Sequence, residues 1–205
     1  SWVTVSPTKG SGNGTVTITA NANTGTGRTA VFRVVPNGVK TQEIEIIQGN
    51  SYIPTTDGEF PIIAWTGVEA DKSLEKFPVM KASGINIYLG WYDDLETTLK
   101  VLDAAQKTGV KMITSCKDLL SVATAEEVVK AMMNHPALYA YHLKDEPEVN
   151  DLPGLGELVK KIKTIDSHHP CYINLYPNWA WGKELYSENV NSFIEQVPVP
   201  FISFD

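Results

Sequence analysis

After Arg33 the chain contains no arginine, and its basic residues from there on are lysines. The net charge of −7 divides into +2 over residues 1–49 and −9 over the remainder. Phosphate backbones are bound by lysine and arginine clusters, so nucleic acid is excluded as a partner. No run of 18 apolar residues exists to carry a helix across a bilayer. Two cysteines, Cys116 and Cys171, make neither a disulfide framework nor a metal spacing. Cys116 ends one predicted strand and Cys171 begins another, which puts them at opposite edges of a parallel sheet. No His/Cys/Asp pattern argues for a metal, and nothing calls for a cofactor. The sequence WTGVEAD at 65–71 is not the glycine-rich G-x-G-x-x-G loop that cradles phosphates. No signal-peptide pattern opens the chain, which starts abruptly at Ser1; a targeting segment is expected to be removed or to lie outside.

What remains is an ordinary globular composition, 42% hydrophobic and 20% charged, without a disordered tract. Residues 1–49 differ from the rest. WVTVSP, GTVTITAN, RTAVFRVV and KTQEIEIIQ are short alternating runs of β-branched residues, separated by turn clusters at 9–14, 21–27 and 36–38. This pattern predicts an antiparallel β-sandwich, and four strands are few for a whole one.

From about Tyr52 the period changes. Apolar runs recur at 61–66, 84–91, 110–115, 138–146, 170–177 and 200–205, with helical patterns between them. Those helices are SLEKFPVMKAS with Pro78 as a blemish, LETTLKVLDAAQKT closed by Gly109, VVKAMMNH behind a capping box at Thr124–Glu127, and LGELVKKIKTIDSHH. Strand starts fall roughly 23 to 32 residues apart, the repeat of a (β/α) barrel. Six strands are countable where a TIM barrel has eight, so the chain is expected to be cut at both ends. A doubly wound six-strand sheet is the alternative architecture.

The stretch with most chemistry is Leu138–Pro147, LYAYHLKDEP. At period two, Tyr139, Tyr141 and Leu143 share one face, and Ala140, His142, Lys144 and Glu146 the other. A buried strand holds an imidazole, an ammonium and a carboxylate only where they have a use. Asp145 and Glu146 fall at its carboxyl end, before Pro147. Trp65 and Trp91 end two other strands, and Trp179 and Trp181 follow the fifth. Tyr172, Asn174, Tyr176 and Asn178 share one face there. Short polar groups beside aromatic platforms are what a sugar site needs. Asp93, Asp94 and Asp118 read as helix N-terminal carboxylates, and Asp205 ends the sixth strand. Lys144 as a Schiff-base lysine would make an aldolase-type barrel.

Two resemblances follow. Trp2–Pro7, Gly10–Gly14, Arg28–Ala30 and Ile46–Gln48 resemble the second half of a BACON domain, the immunoglobulin-like module found N-terminal to Bacteroidetes carbohydrate-active enzymes. That resemblance implies carbohydrate binding, although these residues display no aromatic triplet and a spacer is the plainer reading. The phrase His135–Pro147, with Gly84–Asn86, Asp166–Pro170 and Asn174–Pro177, resembles clan A glycoside hydrolases, whose fourth barrel strand ends in Asn-Glu-Pro or Asp-Glu-Pro. It implies Glu146 as general acid/base, and a nucleophile glutamate at the end of a seventh strand outside this sequence. Asp145 departs from the commoner asparagine, which puts the hydrogen bond to the sugar 2-hydroxyl in doubt. Neighbouring Asp145 and burial would raise the pKa of Glu146; Lys144 or His142 would lower it.

The expectation is therefore multidomain: an immunoglobulin-like β-sandwich at 1–49, a linker at 50–60 and a (β/α)8 glycoside-hydrolase-like barrel at 61–205, both domains partial. The activity expected is hydrolysis of O-glycosidic bonds in a polysaccharide or oligosaccharide, retaining, with Glu146 catalytic. Asp145, His142, Trp65, Trp91, Asn174, Tyr176, Asn178 and Trp179 are expected to bind the carbohydrate, with no metal and no cofactor. By resemblance the protein is expected to be secreted, periplasmic or on the cell surface. The alternative is a non-catalytic carbohydrate-binding protein on the same scaffold.

Overall fold

The computed structural model describes residues 2–12, 14–21, 28–36, 38, 41–48, 60–180 and 182–204. The chain falls into two compact units, Ser1–Tyr52 and Ile53–Asp205.

In the first unit the four alternating runs are strands. β1 (Val3–Ser6) pairs antiparallel with β2 (Thr17–Ala20), and β3 (Arg28–Val34) with β4 (Gln42–Gln48). They form two separate two-stranded sheets. Among the described residues of this unit, Val3 is the one buried apolar side chain. The Arg28 guanidinium lies over the Trp2 ring at 4.4 Å, a cation–π contact.

In the second unit six parallel strands pair in chain order: β5 (Ile63–Trp65), β6 (Ile87–Tyr92), β7 (Lys111–Cys116), β8 (Leu138–Asp145), β9 (Cys171–Leu175) and β10 (Ser203–Phe204). A doubly wound sheet reverses its strand order at a switch point, whereas an order that follows the chain places every right-handed crossover on one side. The sheet is a partial (β/α) barrel. Its helices are α1 (Ser73–Ala82), α2 (Leu95–Thr108), α3 (Ala125–Met132), α4 (Leu152–Ile165) and α5 (Lys183–Gln196). The last of these is not among the helices that the sequence pattern predicts.

Local chemistry sets these boundaries. Asp94 accepts the Thr97 amide at 2.7 Å and starts α2, and Gly109 at φ 73° ends it. The capping box expected at α3 is absent: the Thr124 hydroxyl donates instead to the Asp118 carbonyl at 2.5 Å. A box does form at the turn before α4, where Glu148 and Asp151 bond reciprocally.

Two hydrophobic clusters lie on opposite faces of the sheet. Tyr88, Met112, Leu138, Tyr141, Leu143 and Ile173 pack outward among helix residues such as Leu102, Val129 and Val159. Ile87, Leu89, Ile113, Ala140 and Tyr172 pack together on the inner face. The inner cluster includes Tyr139, against the period-two expectation. The cause is a register shift in β8: Leu138 pairs with Met112, but Ala140 with Ile113, so Tyr139 is extra. A second shift follows His142, where Lys144 rather than Leu143 pairs with Ile173.

Candidate functional site

The second shift decides which charges face inward. Lys144 aligns with outward-facing Ile173, and its ammonium stands 3.6 Å from Asp151. Its expected place beside His142 on the inner face is therefore corrected, and the Schiff-base reading loses its premise. Asp145 aligns instead with Asn174 and faces inward.

Around Asp145 runs an ordered chain of hydrogen bonds. The Ser203 hydroxyl donates to Asn174 Oδ1 at 2.8 Å, so its single proton is committed. The Tyr172 hydroxyl, 2.8 Å from Ser203 Oγ, must then be the donor of that pair. Asn174 Nδ2 in turn donates to Asp145 Oδ1 at 3.3 Å. Every dipole points toward the carboxylate, and such chains reinforce themselves.

Glu146 follows at φ 47°, in the left-handed region that a non-glycine residue enters at a cost of about 1–2 kcal/mol. Its amide is held there, donating to the Asn174 carbonyl at 2.8 Å. Among the described residues Thr66 is the other non-glycine residue at positive φ, 37°, and it follows Trp65 at the carboxyl end of β5, its amide donating to Leu89 O at 2.7 Å. Held backbone strain of this kind gathers where function fixes a conformation. Both instances sit at the carboxyl edge, the end at which parallel α/β barrels present their sites.

The inner face is aromatic. His142 stacks on Trp91 with ring centroids 5.0 Å apart, meets Trp65 edge-on at 6.3 Å and lies 6.2 Å from Tyr172. It is 6% exposed, and its Nε2 has no hydrogen-bond partner. Aromatic rings surround the imidazole. Burial pushes its pKa down to about 4, so the imidazole is neutral at pH 7. Trp65 and Trp91 keep 41% and 46% of their surface open.

After β9, Tyr176 is half-buried and its phenol pKa is raised, first by desolvation and then by the charges of Glu146, Glu148, Asp145 and Asp151. Asn178 and Trp179 are exposed in a turn, Trp179 at 80%, and no ring contact joins them to the inner aromatics. Trp181 and Asp205 lie outside the described residues. Among the described residues no group of three or more acidic, histidine or cysteine side chains is placed to hold a metal ion. No described helix is long and apolar enough to cross a membrane. Ser203 and Phe201, which the sequence pattern did not single out, join the site: the Phe201 ring lies 6.0 Å from that of Tyr172, tilted by 48°.

Residues 1–49 match the BACON family, described as "Putative binding domain, N-terminal". No curated protein sequence matches the chain. Among solved structures, it is similar to a glycosyl hydrolase family 2 member from Bacteroides cellulosilyticus, with a TM-score of 0.53 at 12% identity over 93% of this chain and 30% of that one. An endo-laminarinase from Formosa gives 0.53 at 14% identity, covering 72% of this chain and 49% of the other. A xylanase, XynB, from Paenibacillus barcinonensis gives 0.51 at 12%, covering 75% and 62%. The chain thus spans less than two thirds of each of these structures. At such identities the likeness establishes a fold shared with glycoside hydrolases.

Proposed function

We propose that this chain is part of a secreted or surface-attached glycoside hydrolase that cleaves O-glycosidic bonds of a polysaccharide or oligosaccharide. Glu146 is its general acid/base. The observation that carries this reading is the strained backbone of Glu146, held by the Asn174 carbonyl at the carboxyl edge, next to an inward carboxylate and two open indoles. A glycosidase needs a carboxylic acid that protonates the leaving oxygen and a second carboxylate across the bond; about 5–5.5 Å between them gives retention. The second is expected from a seventh strand. Asp145, when ionised, can only accept, so it takes a hydrogen bond from a sugar hydroxyl where asparagine would give one. Trp65 and Trp91 offer stacking faces, Asn174 orients Asp145, and Tyr176, Asn178 and Trp179 extend the surface beyond the strand ends. The boundaries at 49/50 and 60/61, and an immunoglobulin-like sandwich for the first unit, belong to the same proposal.

The test uses the full-length gene product and its Glu146→Gln variant on aryl glycosides and on mannan, laminarin and xylan. A loss of activity by orders of magnitude, with azide or an activated leaving group restoring turnover, is expected. Full activity in the variant overturns the assignment. Glycan binding without turnover in either protein turns the reading to a non-catalytic carbohydrate-binding scaffold.

A further inference from the structure

We infer that the inner face takes neutral pyranosides and refuses sugars bearing a carboxylate. This deepens the glycoside reading and rests on it. The inner face can be followed strand by strand from the register. Trp65, Leu89, Ile113 and Ala140 form its middle; Trp91, Ser115, His142, Tyr172, Asn174, Ser203 and Asp145 lie toward the carboxyl edge. None of these is a lysine or arginine. Lys111 is aligned with Ile87 at the amino edge, and its ammonium is held by the Pro136 carbonyl at 2.6 Å. Lys144 is turned to Asp151 on the other face. The one imidazole is enclosed by rings.

Three terms then act together against an anion. The π faces of Trp65 and Trp91 carry the negative end of the aromatic quadrupole, which suits C–H edges of a sugar ring and repels a carboxylate. Asp145 sits at the end of the donor chain from Tyr172, Ser203 and Asn174 and offers an acceptor, not a cation. Among the described inward positions of these six strands no lysine or arginine answers a second negative group, and like charges brought together in a partly dry site cost heavily. Neutral hydroxyls meet acceptors at Asp145 and hydroxyl or amide partners at Tyr172, Ser203 and Asn174.

The test measures binding to the full-length Glu146→Gln protein by calorimetry. The probes are neutral hexasaccharides of mannose, glucose and xylose, and hexagalacturonate and hexamannuronate as charged ones. At least one neutral probe is expected to bind, with the uronates weaker by about a hundredfold or more. Asp145→Asn is expected to narrow that gap. On the unsubstituted-Asp145 chain, rising salt is expected to narrow it too, by screening. A uronate bound as tightly as the best neutral sugar overturns the inference and leaves the glycoside reading intact. Binding of neither class overturns both.

Discussion

The rings of Trp65 and Tyr172 stand 6.5 Å apart, although three strands lie between theirs in the sheet. In a flat sheet those strands would be about 19 Å apart, at about 4.8 Å for each step. Only a curled sheet lets its first and fifth strands share one aromatic cluster across the inner face. The pair should therefore be energetically coupled. A double-mutant cycle on Trp65→Ala and Tyr172→Ala is expected to give about 0.5–1 kcal/mol of interaction in denaturant unfolding. Strict additivity would contradict the curl.

Strain at Glu146 predicts a trade between stability and function. Glycine adopts φ 47° without the Cβ penalty. Glu146→Gly is expected to hold or raise stability by about 1 kcal/mol while removing hydrolytic activity. Chemical unfolding beside an aryl glycoside assay measures both. A variant that is less stable by several kcal/mol would show that the carboxylate, rather than the backbone, holds this turn.

Much of this was legible in the sequence, and the failures have local causes. Among the described residues, the ten strands and four of the five α-helices overlap the segments where periodicity puts them, because each βα unit carries its own signals, although the capping box at Thr124 does not form and α4 ends at Ile165 rather than at His169. Strand faces were legible only as far as the ladder stays regular. Two register shifts within β8 moved Tyr139 inward and turned Lys144 outward, and no residue type in LYAYHLKD marks them. A period-two reading across a bulge must assign the wrong face. Helix α5 escaped because its apolar stripe is thin: Phe193 is buried while Leu185 and Ile194 are exposed. Ser203 became a site residue only through its bonds to Tyr172 and Asn174, a relation among distant strands that spacing does not encode.

His142 predicts acid sensitivity well above the carboxylate range. Its folded pKa, about 4, lies below the ordinary 6.5, so between those values the unfolded chain binds the extra proton. Stability is fullest above pH 6.5 and falls as pH drops toward 4, by about 3 kcal/mol for this residue. His142→Phe is expected to flatten that slope in urea unfolding at pH 7, 5.5 and 4, since a phenyl ring fills the cage and has nothing to protonate. An unchanged slope would place the proton elsewhere.

Asp166 acts lower in pH and at the opposite end of the sheet. Burial opposes its charge, but hydrogen bonds from His169, the Tyr141 hydroxyl at 2.7 Å and the His168 amide at 2.8 Å bring its pKa down to about 2. Its contribution is complete above about pH 4 and is lost as pH falls through 2. Asp166→Ala removes the carboxylate that accepts from the buried Tyr141 hydroxyl and from the His168 and His169 amides, and is expected to cost about 3 kcal/mol at pH 7. Tyr141→Phe with Asp166→Ala should recover part of that loss; no recovery would mean that the loop amides, not the phenol, depend on the carboxylate.

Two glycines in α4 should respond with opposite signs. Gly154 is exposed, and a Cβ there meets nothing within 4 Å. Alanine restricts the unfolded chain and favours helix, so Gly154→Ala is expected to stabilise by about 0.5–1 kcal/mol. At Gly156 a Cβ would run into the Gln196 carbonyl oxygen, with the carbonyl carbon behind it at 3.2 Å. That atom is main chain at the end of α5, so it cannot swing aside as a side chain would. Gly156→Ala must push α5 off α4 or bend it, at a cost of about 1–3 kcal/mol. Thermal unfolding of the two variants side by side isolates packing from helix propensity, because the substitution and the helix are the same. Stabilisation by both would mean that α5 does not lie against Gly156 at this distance. Destabilisation by both would mean that α4 needs glycine at its start for a reason other than close approach.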